Sequence, residues 1–225
     1  MRLLLLWDID GTLIASGGAG MRALQRALRT EFGCDGSLAD IDFAGRTDTW
    51  IMRAVFRKFG LPETADTFER FFAAYVAALP AELNPPHARV LPGIRELLRA
   101  VAARGDIAQG LLTGNRRAGA QVKLAYHGLW EPFAFGAFAD DSEHRNELGP
   151  HAVRRAREHH GVEFSVDRVW VIGDTPHDIA CGRALGARTL AVGTGGATLD
   201  VLRAHRPDAV LADLADADAF WKLLG

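Results

Sequence analysis

Two pairs of aspartates follow short apolar segments of the sequence, and aspartate can both bind cations and take part in covalent chemistry. Asp8 and Asp10 come directly after Leu3–Trp7, and a spacing of two lets both face one side of an extended chain. An ionised aspartate can attack phosphorus and form an aspartyl phosphate that water later cleaves. The second carboxyl could protonate the leaving alkoxide and then activate that water, provided that its neighbour's charge raises its pKa.

Asp174 and Asp178 form the second pair, and their spacing of four places both side chains on one face of a helical turn. Pro176 between them suits the first turn of a helix, where its missing N–H needs no partner. Together with Asp8 and Asp10, these acids form an oxygen donor set that suits octahedral Mg²⁺ better than zinc. The alternatives are that Asp174 is a helix N-cap and that Asp178 has a structural role.

The segment Thr113-Gly114-Asn115 follows another apolar run, Ile107–Leu112. Its hydroxyl group, accessible backbone and amide can all bind phosphate oxygens. Gly11, just after the first pair of acids, allows a sharp turn that leaves backbone N–H groups free for the same purpose. Phosphoryl transfer also needs positive charge to balance the equatorial oxygens, so a basic side chain is expected nearby.

Continuous apolar runs precede these polar groups, as is typical of strands buried on both faces of a parallel sheet. The runs are 3–7, 107–112, 169–172 and 189–192. Apolar residues at helical spacing lie between them, namely Ile94, Leu97, Leu98 and Val101; Val122, Ala125 and Leu129; and Ala152, Val153 and Ala156. The alternation predicts an α/β fold with a doubly wound, mostly parallel sheet, whose ligands bind beyond the carboxyl ends of the strands.

The segment from residue 16 to residue 87 interrupts this alternation, because it has helical patterns and no convincing buried strand. Its apolar stripes are Met21, Leu24, Ala27 and Leu28; Ile51, Val55 and Phe59; and Phe68, Phe71, Phe72, Tyr75, Val76 and Leu79. Glycines at 17, 18 and 20 precede it and prolines at 80, 85, 86 and 92 follow it, as expected of linkers. We therefore expect a core domain of residues 1–15 and 88–225 with a helical subdomain, residues 16–87, inserted after the first strand.

The composition limits the partners and the compartment. With 26 basic and 28 acidic residues the net charge is −2, which predicts no binding to nucleic acid or to an anionic membrane. Cys34 and Cys181 are too few for a disulfide framework or a four-ligand zinc site, which favours a reducing, cytoplasmic location. The apolar run 3–7 is too short for a secretory signal, and no later stretch is long enough to span a membrane. The oligomeric state is not predictable from these features.

The motifs, in their order along the chain, resemble those of the haloacid dehalogenase superfamily, in its phosphatase branch of the phosphoglycolate phosphatase-like type. The first motif, DxDG[TV], corresponds to Asp8–Thr12, the second, an apolar strand ending in Ser or Thr, to Leu111–Asn115, and the fourth, GDxxxD, to Gly173–Asp178. The resemblance extends from residue 3 past residue 195. Segment 16–87 is similar to the cap that this superfamily inserts between its first and second motifs.

The resemblance implies a role for each matching residue. Asp8 would be the nucleophile, and Asp10 would be the acid/base and a second metal contact through its backbone. Thr113 would bind phosphate, while Asp174 and Asp178 would lie on the metal side of the site. The implied cofactor is Mg²⁺, and the implied partner is a phosphorylated small molecule.

The third motif of the superfamily, usually a lysine, has no lysine counterpart between residues 124 and 172. Arg145 is the candidate substitute, because it follows the expected third strand and its planar fork can bridge a phosphate and a carboxylate. Lys123 is the rival, although it lies in the predicted helix after Thr113. The alternative for Arg145 is a solvated side chain in a charged loop.

We therefore expect a Mg²⁺-dependent phosphatase that hydrolyses a small phosphomonoester, phosphoglycolate-like or a sugar phosphate. The alternatives are a phosphomutase of the β-phosphoglucomutase type and a noncatalytic protein that binds a phosphorylated metabolite. Dehalogenase activity is disfavoured because that branch lacks an acid at the position of Asp10. In the predicted cap, Arg46 could contribute to specificity, whereas the neighbouring Thr47 or Asp48 could simply cap a helix.

Overall fold

The computed structural model describes residues 3–84 and 86–224; residue 85, one of the predicted linker prolines, and residues 1, 2 and 225 lie outside the described ranges. The strands are β1 (Leu3–Trp7), β2 (Ile14–Ala15), β3 (Arg89–Val90), β4 (Ile107–Leu112), β5 (Gly136–Ala137), β6 (Val169–Gly173), β7 (Arg188–Val192) and β8 (Ala209–Leu211). Six of them form one parallel sheet in the order β5-β4-β1-β6-β7-β8, with β1 at its centre. The chain thus crosses from β4 on one side of β1 to β6 on the other, and this is the switch point at which ligands bind.

Helices cover both faces of the sheet. They are α1 (Ala19–Phe32), α2 (Asp48–Phe59), α3 (Ala65–Glu82), α4 (Ile94–Ala102), α5 (Arg117–Tyr126), α6 (Leu148–His160), α7 (Pro176–Leu185), α8 (Leu199–Ala204) and α9 (Ala217–Leu224). Leu5 and Trp7 of β1 pack with apolar residues of α4, α5 and α9, while Leu4 and Leu6 pack with those of α6 and α7. Because alternate residues of β1 enter opposite cores, the strand is apolar throughout. The predicted doubly wound α/β fold is confirmed. Among the described residues, no helix combines the length and the apolar character that a bilayer crossing requires.

Helices α1, α2 and α3 surround an apolar cluster of their own. Phe56 is fully buried in it and contacts the rings of Phe32, Phe68 and Phe71 at centroid distances of 4.8 to 6.4 Å. The interpretation of Pro80 as linker punctuation was wrong, because α3 continues through it to Glu82. The buried face of α3 extends to Leu79, so packing stabilises its last turn despite the missing proline N–H.

The two connections to the helical segment run side by side. β2 pairs antiparallel with β3, with Ile14 opposite Val90 and Ala15 opposite Arg89. A few residues on, Gly17 has a positive φ of 58°, and a Cβ there would overlap His87 in the other connection. The paired connections place the helical segment directly above the carboxyl end of β1.

The apolar stripe predicted for α5 is confirmed for Leu129, which is buried just beyond the helix, and for the partly buried Val122, but it was wrong for Ala125. The buried residues of α5 are Gly119, Ala120, Lys123 and Leu124, whereas Ala125 is exposed. The helix is rotated relative to the periodicity-based prediction, so that a lysine faces the interior. The physical reason is a set of buried oxygen atoms that the sequence pattern does not reveal, and these belong to the site described next.

Candidate active site

A cavity of about 380 Å³ lies between the carboxyl ends of β1, β4 and β6 and the helical segment above them. Its lining includes Asp8, Asp10, Thr113, Gly114, Asn115, Arg145 and Asp174 from the sheet side, and Gly45, Arg46, Asp48, Ile51 and Tyr75 from the helical segment. Apart from Asp178, the polar residues singled out in the sequence therefore line one cavity, together with several that were not.

Three carboxyl groups meet at the floor of this cavity. Oxygen atoms of Asp8, Asp174 and Asp178 lie within 4.8 Å of one another, and all three residues are buried. Burial raises the pKa of Asp8 to about 6, against the opposing charge of Arg145. Burial, together with the charges of Asp178 and Asp8, raises the pKa of Asp174 to about 8. Such crowding of oxygen donors is chemically suited to a divalent cation.

The loop after β6 positions the second acid pair. Thr175, rather than Asp174, is the N-cap of α7, so the N-cap alternative for Asp174 was wrong. Asp178 completes a capping box, because its Oδ2 accepts hydrogen bonds from the backbone N–H and the hydroxyl of Thr175 at 3.0 and 2.7 Å. The carboxylate of Asp174 remains available to the cavity and accepts a hydrogen bond from Thr12 Oγ1 at 3.1 Å. Asp178 is therefore both a structural cap and a member of the acid group.

Arg145 begins a short 3₁₀ turn, Arg145–Glu147, and its side chain enters the acid group. Its Nη2 lies 3.0 Å from Asp8 Oδ1 and also donates a hydrogen bond to Asp178, while Nη1 donates to the carbonyl of Gly45 at 3.0 Å. The residue is only 8% exposed, so the alternative of a solvated arginine was wrong. Burial would lower its pKa, but Asp178 and Asp8 outweigh burial and raise the pKa above its usual value.

Lys123 instead contacts Asp10. Its Nζ donates hydrogen bonds to Asp10 Oδ2 and Asn115 Oδ1, both at 2.7 Å. Ser16 and Asn115 Nδ2 also donate to the Asp10 carboxylate, which is half-buried at the edge of the cavity. Burial would raise the pKa of Asp10, but Lys123 outweighs it and lowers the pKa. The expectation that the charge of Asp8 raises this pKa was therefore wrong, because a buried cation lies beside Asp10.

The loop after β4 connects the sheet with the helical segment. Thr113 Oγ1 accepts hydrogen bonds from the backbone and side chain of Asn115 at 3.3 and 2.9 Å. The carbonyl of Gly114 accepts one from the N–H of Asp48 at 2.7 Å. A Cβ on Gly114 would overlap the carbonyl of Arg46, so the close approach of the two chains requires glycine. Thr113 and Gly114 thus lie under the helical segment, with Arg46 across the cavity.

The turn that precedes α2 caps that helix and also lines the cavity. Thr47 is the N-cap of α2, accepting a hydrogen bond from the N–H of Trp50 at 3.2 Å and donating one to the carbonyl of Glu143 at 2.7 Å. Asp48 is half-buried, and its carboxylate accepts a hydrogen bond from the N–H of Arg116 at 2.7 Å. Arg46 lines the cavity and packs 4.4 Å from the centre of the Trp50 ring. This turn therefore caps a helix and closes one side of the cavity.

Sequence reasoning missed Ser16 and Tyr75 as neighbours of the site. Tyr75 belongs to an apolar stripe of α3, and only its hydroxyl distinguishes it from the phenylalanines beside it. Ser16 lies at the expected boundary between core and cap, where polar residues are common. The one available signal was Lys123, a lysine in a helix whose other inward residues are small or apolar.

Gly195, in the loop after β7, lies against Asp174, so a substitution there tests the position of this acid. A Cβ at this position would overlap the carboxylate of Asp174. We expect Gly195→Ala to displace that carboxylate, weaken divalent-cation binding and lower turnover by at least about tenfold. The control is Gly196→Ala, since nothing lies within 4 Å of a Cβ on Gly196. Equal turnover and equal cation affinity in the two variants would refute the proposed position of Asp174 at a metal site.

Comparison with known proteins identifies the family. Residues 5–183 match the haloacid dehalogenase-like hydrolases. The chain belongs to this family. The resemblance of the three motifs to this superfamily is thereby confirmed, as is the expectation of an enzyme of the hydrolase type.

Relatives of known structure or activity cover nearly the whole chain. The phosphoglycolate phosphatase of Rhodospirillum rubrum is 28% identical over 227 residues, which are 97% of this chain and 88% of that protein. The structure of a predicted phosphoglycolate phosphatase from Haemophilus somnus has a TM-score of 0.74 at 19% identity, over 98% of both chains. CbbY from Rhodobacter sphaeroides, in complex with phosphate, has a TM-score of 0.72 at 18% identity, over 96% of both. The two solved structures share the fold of this chain over both the core and the helical segment.

Proposed function

We propose that this family member is a Mg²⁺-dependent phosphatase that hydrolyses a small phosphomonoester through an aspartyl phosphate on Asp8. The observation that carries the proposal is the contact of a buried aspartate with two further acids and with the guanidinium of Arg145 in one cavity. This arrangement places a nucleophile, a candidate metal site and a fixed cation side by side. Similarity to a phosphoglycolate phosphatase over 97% of the chain supports the same reaction.

The reaction divides into two steps that the named residues can perform. In the first, a carboxylate oxygen of Asp8 attacks phosphorus and the bond to the ester oxygen breaks. The leaving alcohol takes a proton from the acid form of Asp10, which is a minor form because Lys123 lowers the pKa of this carboxyl. In the second, Asp10 accepts a proton from water, which attacks phosphorus, so that inorganic phosphate leaves and Asp8 is regenerated. Thr113, Gly114, Asn115 and Arg145 are proposed to bind the phosphoryl oxygens. The sum is one ester and one water converted to one alcohol and one phosphate.

The buried acids fit a divalent cation on chemical grounds. Asp8, Asp174 and Asp178 offer hard oxygen donors, and Arg145 supplies one positive charge against three carboxylates. Asp8 and Asp174 are proposed to hold Mg²⁺, with Asp178 beside them and the backbone of Asp10 as a further contact. Bound Mg²⁺ would supply additional positive charge to the phosphoryl oxygens.

The helical segment is proposed to act as a cap that selects the substrate and excludes water. Its docking encloses the cavity, with Gly45 hydrogen bonded to Arg145 and Asp48 hydrogen bonded to Gly114. Arg46 lines the space beyond the acids and is proposed to contact the non-reacting part of the substrate. A cavity of about 380 Å³ suits a small phosphorylated metabolite rather than a polymer.

Removal of the metal should abolish turnover. We expect phosphate release from p-nitrophenyl phosphate to fall to background in excess chelator and to return with Mg²⁺, because the phosphoryl charge would otherwise face three carboxylates. Undiminished turnover in chelator would contradict the proposed metal dependence.

The substrate class is tested by phosphate release from a panel of phosphorylated metabolites, including phosphoglycolate and sugar phosphates. A phosphatase releases phosphate at the rate at which it consumes its substrate. Sugar-phosphate isomerisation faster than phosphate release would identify a phosphomutase instead. A folded wild type that binds these compounds without turnover would support the noncatalytic alternative.

A further inference from the structure

Lys123 is buried between the core and the helical segment, and its surroundings differ from those of Arg145. Its side chain is 6% exposed, although lysine is rarely buried without a partner. Two of its contacts belong to the core, namely Asp10 Oδ2 and Asn115 Oδ1. Arg145 forms ion pairs with Asp8 and Asp178, which are acids of the proposed metal site. Among the described residues, the ion pair of Lys123 is with Asp10 instead.

The remaining neighbours of this ammonium belong to the helical segment. The Asp48 carboxylate acts electrostatically on Lys123, after Asp10, and the neutral phenol of Tyr75 lies beside the same ammonium. The Tyr75 hydroxyl and Lys123 Nζ lie 3.8 and 3.9 Å from a Cβ placed on Gly20 of α1, so both polar groups face the same point of that helix at van der Waals distance. Lys123 thus has core partners on one side and neighbours from α2 and α3 on the other.

The position of Asp48 depends on docking of the helical segment. Its N–H donates to the carbonyl of Gly114 and its carboxylate accepts from the N–H of Arg116, both at 2.7 Å. These two bonds fix the first turn of α2 on the loop that also carries Asn115. When they form, Asp48 comes beside Lys123, and Lys123 holds the carboxylate of Asp10.

We propose that Lys123 is a positioning residue that fixes the Asp10 carboxylate. Docking of the helical segment places Asp48 and Tyr75 beside the Lys123 ammonium and so fixes Lys123 in turn. This inference rests on the proposed function. It assigns to Lys123 a role separate from that of Arg145, which acts on the nucleophile. Lys123 itself touches no reacting atom and acts through Asp10.

The test uses pre-steady-state kinetics with p-nitrophenyl phosphate and Mg²⁺. Nitrophenolate is a good leaving group that needs no proton, so the first step does not depend on Asp10, whereas hydrolysis of the aspartyl phosphate does. We expect Lys123→Met to lower kcat by about 100-fold, to lower KM in parallel so that kcat/KM changes little, and to release a burst of one nitrophenolate per active site. The matched control is Lys222→Met, which removes the same charge at an exposed position on α9.

Two further variants separate positioning from general loss of structure. Lys123→Met should cause no additional loss in an Asp10→Asn background, because Lys123 acts through Asp10. Tyr75→Phe, which keeps the ring packed, should lower kcat several-fold, and combining it with Lys123→Met should add nothing. If Lys123→Met does not fold, the Tyr75→Phe burst decides the question: a burst supports the proposal and its absence overturns it.

The outcomes distinguish this inference from the proposed function. A folded wild type without turnover would overturn the proposed function itself. A turning-over wild type with a Lys123→Met variant of unchanged kcat and no burst would overturn only the inference. If Lys123→Met lowers kcat as much in the Asp10→Asn background as in the wild type, the inference is also overturned, because Lys123 would then act through a group other than Asp10.

Discussion

Asp8→Asn should eliminate turnover while leaving the fold intact. An asparagine amide occupies the same space but cannot attack phosphorus, so we expect kcat to fall by on the order of 10⁴-fold or more. The fold should persist, because Arg145 keeps its ion pair with Asp178 and the apolar cores on both faces of the sheet are untouched. The measurement is phosphate release with Mg²⁺, alongside thermal unfolding of the same preparation.

The matched control for this variant is Asp200→Asn on α8. The Asp200 side chain is 94% exposed and pairs only loosely with Arg203, at 3.2 Å. The control should retain wild-type kcat. Turnover by Asp8→Asn within tenfold of the wild type would exclude Asp8 as the nucleophile, whatever the result for the control.

Arg145→Ala has the second largest expected effect. Its guanidinium contacts Asp8 and Asp178 and is proposed to balance phosphoryl charge, so we expect kcat to fall by about 10²–10³-fold. Stability should also fall, because removal of one partner leaves buried carboxylates facing one another. Arg145→Lys should recover part of kcat, since it restores the charge but not the fork that reaches Asp8 and Gly45 together.

The control for the arginine variants is Arg155→Ala. Arg155 also makes a two-pronged ion pair, with both Asp141 oxygens at 2.6 Å, but it lies outside the cavity lining. Its loss should change stability without changing kcat. Near-normal turnover in folded Arg145→Ala would contradict this role of Arg145 and would indicate that another basic residue balances the phosphoryl charge.

The central strands could be predicted from sequence because burial on both faces makes them apolar throughout. β1 and β4 begin and end at the predicted residues. A strand before Arg145 was expected without bounds and β8 was not predicted, because these edge strands span only two and three residues. A strand at a sheet edge has a neighbour on one side only, so its length and composition are less constrained.

Some residues of the site could likewise be predicted from sequence, and others could not. Asp8 and Asp174 follow strands of the sheet, and Arg145 precedes a helix that packs on it, so all three lie at the same edge. The ends of these strands can be predicted from the apolar runs in the sequence. The hydrogen-bond partners of Asp10 were not predictable, because Lys123 lies 113 residues away from it in the sequence. A period-based prediction treats lysine as a surface residue, and only the buried oxygens of Asp10 and Asn115 reverse that preference.

The most direct test of the central claim is to trap the phosphoryl group on the protein. Wild type mixed with substrate and Mg²⁺ and quenched in acid within one turnover should carry one phosphoryl group on the peptide that contains Asp8, labile to hydroxylamine as an acyl phosphate is. The same experiment with Asp8→Asn should show none. A phosphoryl group on another residue, or rapid turnover with no phosphorylated protein at any time, would contradict catalysis through an aspartyl phosphate on Asp8.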